Sequence, residues 1–220
     1  MTPRTRYGDD ILLDHYQRGV RQLVLLGAGM DARAYRMDNM PELRVFEVDQ
    51  KTTFDVKEPL LATEKLKVHS RHPIATEFTE RGRWASDLLA AGFDATQPSV
   101  WLLEGLLMYL SLPDTHDLMK QIGKLSPSGS VVFHDACSAS YVRGGRGPVV
   151  GGAPFIGGSD NYAALWAQEG GFARTYVHNF ESFSVDRRNR RVVIDDRVPE
   201  ATPNQVAGRN VVLFVVAQKE

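Results

Sequence analysis

Apolar positions along this chain recur at helical and strand spacings in turn, and that alternation predicts the elements. Ile11, Leu12 and Tyr16 share one face of a helix expected over Asp9–Arg18. The apolar run Leu23–Leu26 reads as a first strand, Asp31–Met37 as a short helix and Arg44–Val48 as a second strand. Gln50–Glu64 has a helical pattern that Pro59 is expected to kink or break, because proline brings no amide hydrogen. Lys65–Ser70 follows as a third strand, Trp84–Ala91 as a helix stopped by Gly92, and Ser99–Leu103 as a buried fourth strand. Asp114 is the expected cap of a helix reaching Leu125, and the turn Ser126-Pro127-Ser128-Gly129 leads into a fifth strand, Ser130–His134. Asn161–Gln168 resumes as helix, Gly171-Phe172 opens a strand through about His178, and Val211–Ala217 closes the chain as a strand. Strands alternating with helices predict a doubly wound, mostly parallel α/β sheet. At 220 residues, the whole of 1–220 is expected to form one domain.

Two stretches break the pattern. Ser138–Ser159 is rich in glycine, carries Arg143 and Arg146, and has no period, so it reads as a long loop of the kind that serves as a lid. The basic run Arg187–Arg191 lies between the alternating segments SFSV and VVI and reads as a solvated hairpin tip. His69 and His72 form an H-x-x-H pair, but no third ligand lies near and Pro73 precludes a helix, so they are expected to be exposed loop histidines and no metal is expected.

Composition narrows the setting. A net charge of −1 gives no bulk attraction to nucleic acid or an anionic membrane. The first residues, MTPRTRYGDD, contain no apolar signal region, and the longest apolar run, Val211–Ala217, is too short to span a bilayer. The single Cys137 excludes an internal disulfide and suits a reducing cytosol. A cytoplasmic protein with neither nucleic-acid nor membrane partners is expected.

The candidate chemistry sits at the first turn. After Leu23–Leu26 come Gly27-Ala28-Gly29, which fit G-x-G-x-x-A as far as Ala32, and the second strand ends in Glu47 and Asp49. Glycines let a backbone turn tightly against a ligand, and an acid about 20 residues later meets ribose hydroxyls. An adenosine-containing cofactor is the consequence, but the loop alone does not separate NAD(P) from S-adenosylmethionine. Asp31 favours the second, because it stands where a dinucleotide's pyrophosphate would dock. Like charges ~4 Å apart cost roughly 1 kcal/mol in water and about 4 at an effective dielectric of 20, whereas a methionine ammonium avoids the penalty. Asp31 can at the same time stabilise the start of the helix. The turn Leu125–Ser130 before VVFHD resembles the L-x-P-G-G turn of class I methyltransferases, and the closing VVLFVVAQKE resembles the reversed last strand of their final hairpin.

The stretches RTRYGDD, VLLGAGMDARAYRM, VFEVDQ, AAGFD and WLLEGLLMYL resemble the leucine carboxyl methyltransferase superfamily, closest to its bacterial and plant branch. The resemblance covers about Arg4–Leu110 and weakens beyond. It implies a seven-stranded class I methyltransferase sheet with an antiparallel C-terminal strand, and S-adenosyl-L-methionine as cofactor. It further implies that Arg6 reaches the methionine carboxylate, that Gly27, Ala28 and Gly29 line the loop with Asp31, that Asp49 holds the ribose, and that Glu104 stands beside the methionine portion. Relatives carry Asp-Leu at the adenine; here Glu77 and Phe78 offer the same chemistry at a longer spacing from Trp84. Glu47, Leu106, Leu107 and Met108 read as structural. The chain begins almost at the motif's first arginine, so the helices that help cover the substrate in relatives are expected to be missing.

For the acceptor side, Tyr109, His134 and Asp135 lie at or near strand ends, where ligands collect in open α/β sheets, although core and capping roles suit each equally. The expected reaction is O-methylation of a carboxylate on a small molecule or peptide. An NAD(P)-dependent oxidoreductase and a cofactor-binding module without catalysis are the alternatives.

Overall fold

Strand β1 (Gln22–Leu26) is buried along its whole length, and its alternate side chains enter two different cores. Leu23 and Leu25 join Leu12, Val45, Val100, Leu102 and Phe133 on one face. Val24 and Leu26 join Phe46, Val48, Trp84, Trp101 and Leu103 on the other. A strand apolar on both faces is stable only between two helical layers, which is why its sequence reads as a continuous run rather than an alternation. The computed structural model describes residues 3–78, 80, 82–143, 149–150, 152–179, 183–186, 191–194, 200–209 and 211–220.

In chain order the strands are β1, β2 (Met40–Asp49), β3 (Val68–Ala75), β4 (Ser99–Leu103), β5 (Val131–Cys137), β6 (Val149–Val150), β7 (Ala153–Pro154), β8 (Arg174–Asn179), β9 (Phe183–Asp186), β10 (Arg191–Ile194) and β11 (Val212–Gln218). The helices are α1 (Pro3–Gln17), α2 (Arg33–Arg36), α3 (Lys51–Leu61), α4 (Arg83–Ala90), α5 (Leu112–Leu125), α6 (Ala139–Val142), α7 (Tyr162–Leu165) and α8 (Pro203–Val206). Seven strands make the main sheet in the order β3-β2-β1-β4-β5-β11-β8. Pairs among β1 to β5 are parallel, and β11 runs antiparallel to both β5 and β8. This is the doubly wound, mostly parallel α/β sheet expected from the sequence, including the reversed last strand. The order turns back between β1 and β4, and a crevice opens there outside the strand carboxyl ends.

Several local expectations are corrected. Helix α1 starts at Pro3 rather than Asp9, because its first turns carry Gly8, Asp9 and Asp10 as buried residues, and buried polar groups hide an apolar period. Pro59 lies inside α3, which ends only two residues later at Leu61, so few backbone bonds are lost. Ser111, not Asp114, caps α5: its side chain accepts from the Asp114 amide, and Asp114 answers with its carboxylate on the Ser111 hydroxyl. His69 and His72 belong to strand β3, not to a loop; three residues apart on a strand they point to opposite faces, and His72 stacks on Phe46 at 4.8 Å. Pro73 is tolerated there because β3 is an edge strand. Within Ser138–Ser159 the chain forms α6 and the small β6–β7 hairpin. The segments flanking the basic run pair as the β9–β10 hairpin, with Arg191 in β10, whereas residues 187–190 of that run, and Arg146, lie outside the described residues. Among the described residues no helix is long and apolar enough to cross a membrane.

Candidate functional site

The turn after β1 is shaped by two glycines with positive φ, +68° at Gly27 and +47° at Gly29, where a side chain would be strained. The Gly27 and Ala28 amides both donate to the Val48 carbonyl, at 2.9 and 3.2 Å, which draws the turn onto the end of β2. There the Asp49 carboxylate accepts from the Gly29 amide at 2.7 Å, the Gln50 amide at 2.7 Å and the Thr53 hydroxyl at 2.8 Å. Of the roughly four lone-pair sites on a carboxylate, about one is then left for a ligand. Two residues earlier, Glu47 is wholly buried and binds Lys57 at 2.6 Å and Arg71 at 2.7 Å, tying α3 and β3 to β2. Glu47 is structural, as its sequence reading had it.

Beside the glycine turn lies a cluster of three arginines and four carboxylates. Arg33, only 2% exposed, binds Asp9 at 2.8 Å, Glu104 at 2.5 Å and Asp31 in a still shorter contact. Arg36 adds a fork onto Asp9 at 2.7 and 2.8 Å. Arg4 bridges Asp135 at 2.7 Å and Glu104 at 3.4 Å, and the Gly105 amide also donates to Asp135 at 2.6 Å. Burial alone would lower the Arg33 guanidinium, but Asp31, Glu104 and Asp9 outweigh it and hold the charge more firmly than usual. Burial pushes the Glu104 carboxyl above its ordinary range, with Arg33 and Arg4 pulling the other way. Gly8 lets α1 settle onto this cluster: a Cβ there would stand 2.9 Å from both Arg33 and Glu104.

Two cavities that share Arg4, Gly27, Gly29 and Glu104 form one cleft at the switch between β1 and β4. The first, of about 350 Å³, is lined by Ala28, Met30, Asp31, Arg33 and Arg36. The second, of about 720 Å³, runs from Asp49, Gln50, Glu77 and Phe78 to Tyr109 and Phe155. The cleft thus gathers Gly27, Ala28, Gly29, Asp31, Asp49, Glu77, Phe78, Glu104 and Tyr109 from separate parts of the sequence. Leu106 and Met108 pack in the core and also touch it.

Three candidates lie elsewhere. Arg6 pairs with Asp10 on α1 at 2.8 Å, and it is Arg4 that reaches the cleft; two residues apart on a helix, the two point in different directions. Asp135 is buried beneath Arg4 and the Gly105 amide. His134 is fully buried between Tyr162 and Trp166, whose indole N–H donates to Nε2 at 2.9 Å. That bond leaves Nδ1 to carry the proton toward the Asp135 carbonyl, so His134 is a core histidine. Sequence reasoning missed Arg4 because the R-T-R motif does not say which arginine faces inward, and missed Phe155 because its loop has no period.

Burial pushes the His134 imidazole down to about 3. The unfolded chain takes up this proton near pH 6.5, whereas the folded chain does not until about 3. Stability present above pH 6.5 is therefore lost as the pH falls toward 3, by up to about 1.4 kcal/mol per unit. Urea unfolding at pH 6.5 and 5.0 should show a fall about 1.7 kcal/mol larger for the parent than for His134→Gln, which keeps an acceptor for Trp166 but does not titrate. Equal falls would mean that His134 is not buried neutral.

An α/β sheet of this order, with its crevice over a glycine turn and an acid at the end of the second strand, is the class I methyltransferase architecture. The chain belongs to the leucine carboxyl methyltransferase family, whose model matches residues 1–123. It is 37% identical over 166 residues to a Frankia alni protein whose name places it among S-adenosyl-L-methionine-dependent methyltransferases, a match covering 76% of this chain and 55% of that one. A Streptomyces coelicolor protein named in the same way is 42% identical over 134 residues, covering 60% of this chain and 44% of the relative. The chain thus spans about half the length of these curated relatives. A DUF574 family protein from Streptomyces avermitilis shares the fold at a TM-score of 0.61 and 14% identity, over 99% of this chain and 82% of its own.

Proposed function

We propose that the chain is an S-adenosylmethionine-dependent methyltransferase that esterifies a carboxylate on a small molecule or peptide. The continuous cleft from the Asp31–Arg33–Glu104 cluster, past the glycine turn, to Asp49 and Tyr109 is the observation that carries the reading. Its residues fit the cofactor. A Cβ on Gly29 would have no neighbour nearer than 3.9 Å, so the bare backbone leaves room for a ligand. Asp49 and the pair Glu77 and Phe78 suit a ribose and an adenine. The cluster holds one carboxylate more than it has arginines, which suits an ammonium, and Arg4 and Arg33 suit a carboxylate. A dinucleotide's phosphates would meet Asp31 and Glu104 instead.

When bound, the cofactor supplies a methyl group on a sulfonium, already a good leaving group. What the chain contributes is positioning: it fixes the glycine turn through Asp49 and closes the methionine end with Arg33. A carboxylate acceptor is ionised at pH 7, so no residue of the chain would have to remove a proton from it. This agrees with a cleft from which His134 is turned away.

S-adenosylhomocysteine at 100 times its dissociation constant should add about 2.7 kcal/mol and raise the melting temperature by about 5–10 °C, with NAD(H) giving no shift. A shift with NAD(H) alone would overturn the cofactor. With a labelled methyl donor, the product should release methanol under mild alkali, as esters do; alkali-stable label would overturn the carboxylate.

A further inference from the structure

Beyond Glu104 the cleft changes character. Its far end is lined by Met108, Tyr109, Leu110, Val150, Ala153 and Phe155, none of them charged. The Tyr109 and Phe155 rings meet edge to face, 5.1 Å apart at 88°. Phe155 is held there by the backbone that follows it: the Ile156 and Gly157 amides both donate to the Met108 carbonyl, at 2.8 and 2.9 Å. Gly157 runs so close to that turn that a Cβ would lie 2.2 and 2.3 Å from the Leu107 and Leu110 carbonyls. The aromatic pair is therefore a fixed wall, with the half-exposed Val150 as its outer lip. Among the described residues, the charges lining the same cavity are Asp49, Glu77 and Glu104 against Arg4, so a second negative group on an acceptor would be repelled by them.

We infer that the acceptor is a monocarboxylic acid with an aromatic body, and that Tyr109 and Phe155 are the residues that select it. The inference rests on the methyltransferase reading above and adds to it the class of acceptor. Flat apolar rings gain from edge contacts that a small polar acid cannot make, and the far-end residues named offer no cation to a second carboxylate.

The test is titration calorimetry of the protein saturated with S-adenosylhomocysteine, using benzoate, 3-phenylpropanoate and 2-naphthoate against succinate. At least one aryl acid should bind about tenfold or more tightly than succinate, and Phe155→Ala should lose about tenfold of that affinity. Phe155→Leu, which keeps apolar bulk, should lose less, and both variants should bind S-adenosylhomocysteine as the parent does. Succinate binding as tightly, no aryl acid binding to the loaded protein, or unchanged aryl affinity in Phe155→Ala would each overturn the inference. Failure of S-adenosylhomocysteine itself to bind would overturn the underlying function instead.

Discussion

Arg33→Ala is expected to cost about 3–5 kcal/mol of stability, the usual price of removing one partner from a buried ion pair. The arginine is 2% exposed and serves Asp9, Asp31 and Glu104 together. Without it those carboxylates repel one another beside a helix that cannot move closer, since Gly8 already touches the cluster. For a chain of this length the loss corresponds to a melting temperature about 6–20 °C lower at pH 7. Because burial already raises the Glu104 carboxyl, protonation should relieve much of the repulsion, and the deficit should shrink on going from pH 7 to pH 5. A variant melting within about 3 °C of the parent at pH 7 would show that the cluster does not depend on Arg33.

Asp49→Ala should weaken binding of S-adenosylhomocysteine by roughly 10–100-fold, since hydrogen bonds to a charged group are worth about 1.5–3 kcal/mol. The effect has two sources. One is the acceptor facing the ligand; the other is the loss of the bond from the Gly29 amide at 2.7 Å, which sets the turn before any ligand arrives. The fold should survive, because Asp49 is only partly buried and its partner Gln50 is exposed to water. Calorimetry on the folded variant is the check, and unchanged affinity would remove Asp49 from the site.

The glycine turn and the acid at the end of β2 were legible because spacing alone places them: a short apolar strand, two glycines that tolerate positive φ, and a second strand of fixed rise. The same held for β4, whose bounds match the expectation residue for residue. Where the sequence misled, polar residues did buried work. The first turns of α1 show no apolar period because they pack through Asp9, Asp10 and Gly8, and the Ser138–Ser159 stretch hides a hairpin too short to show one.

By itself, then, the sequence determined the strands of the main sheet and the helices between the first five of them, the doubly wound class and the nucleotide-type turn, since these follow from local periodicity and from glycine's conformational range. Only the tertiary structure decided which arginine of R-T-R faces the cleft, that His134 is a neutral core residue, and that Phe155 stands against Tyr109. Each of those depends on contacts between segments 28 to 131 residues apart, where burial and charge partners, rather than neighbours in the chain, set what a side chain does.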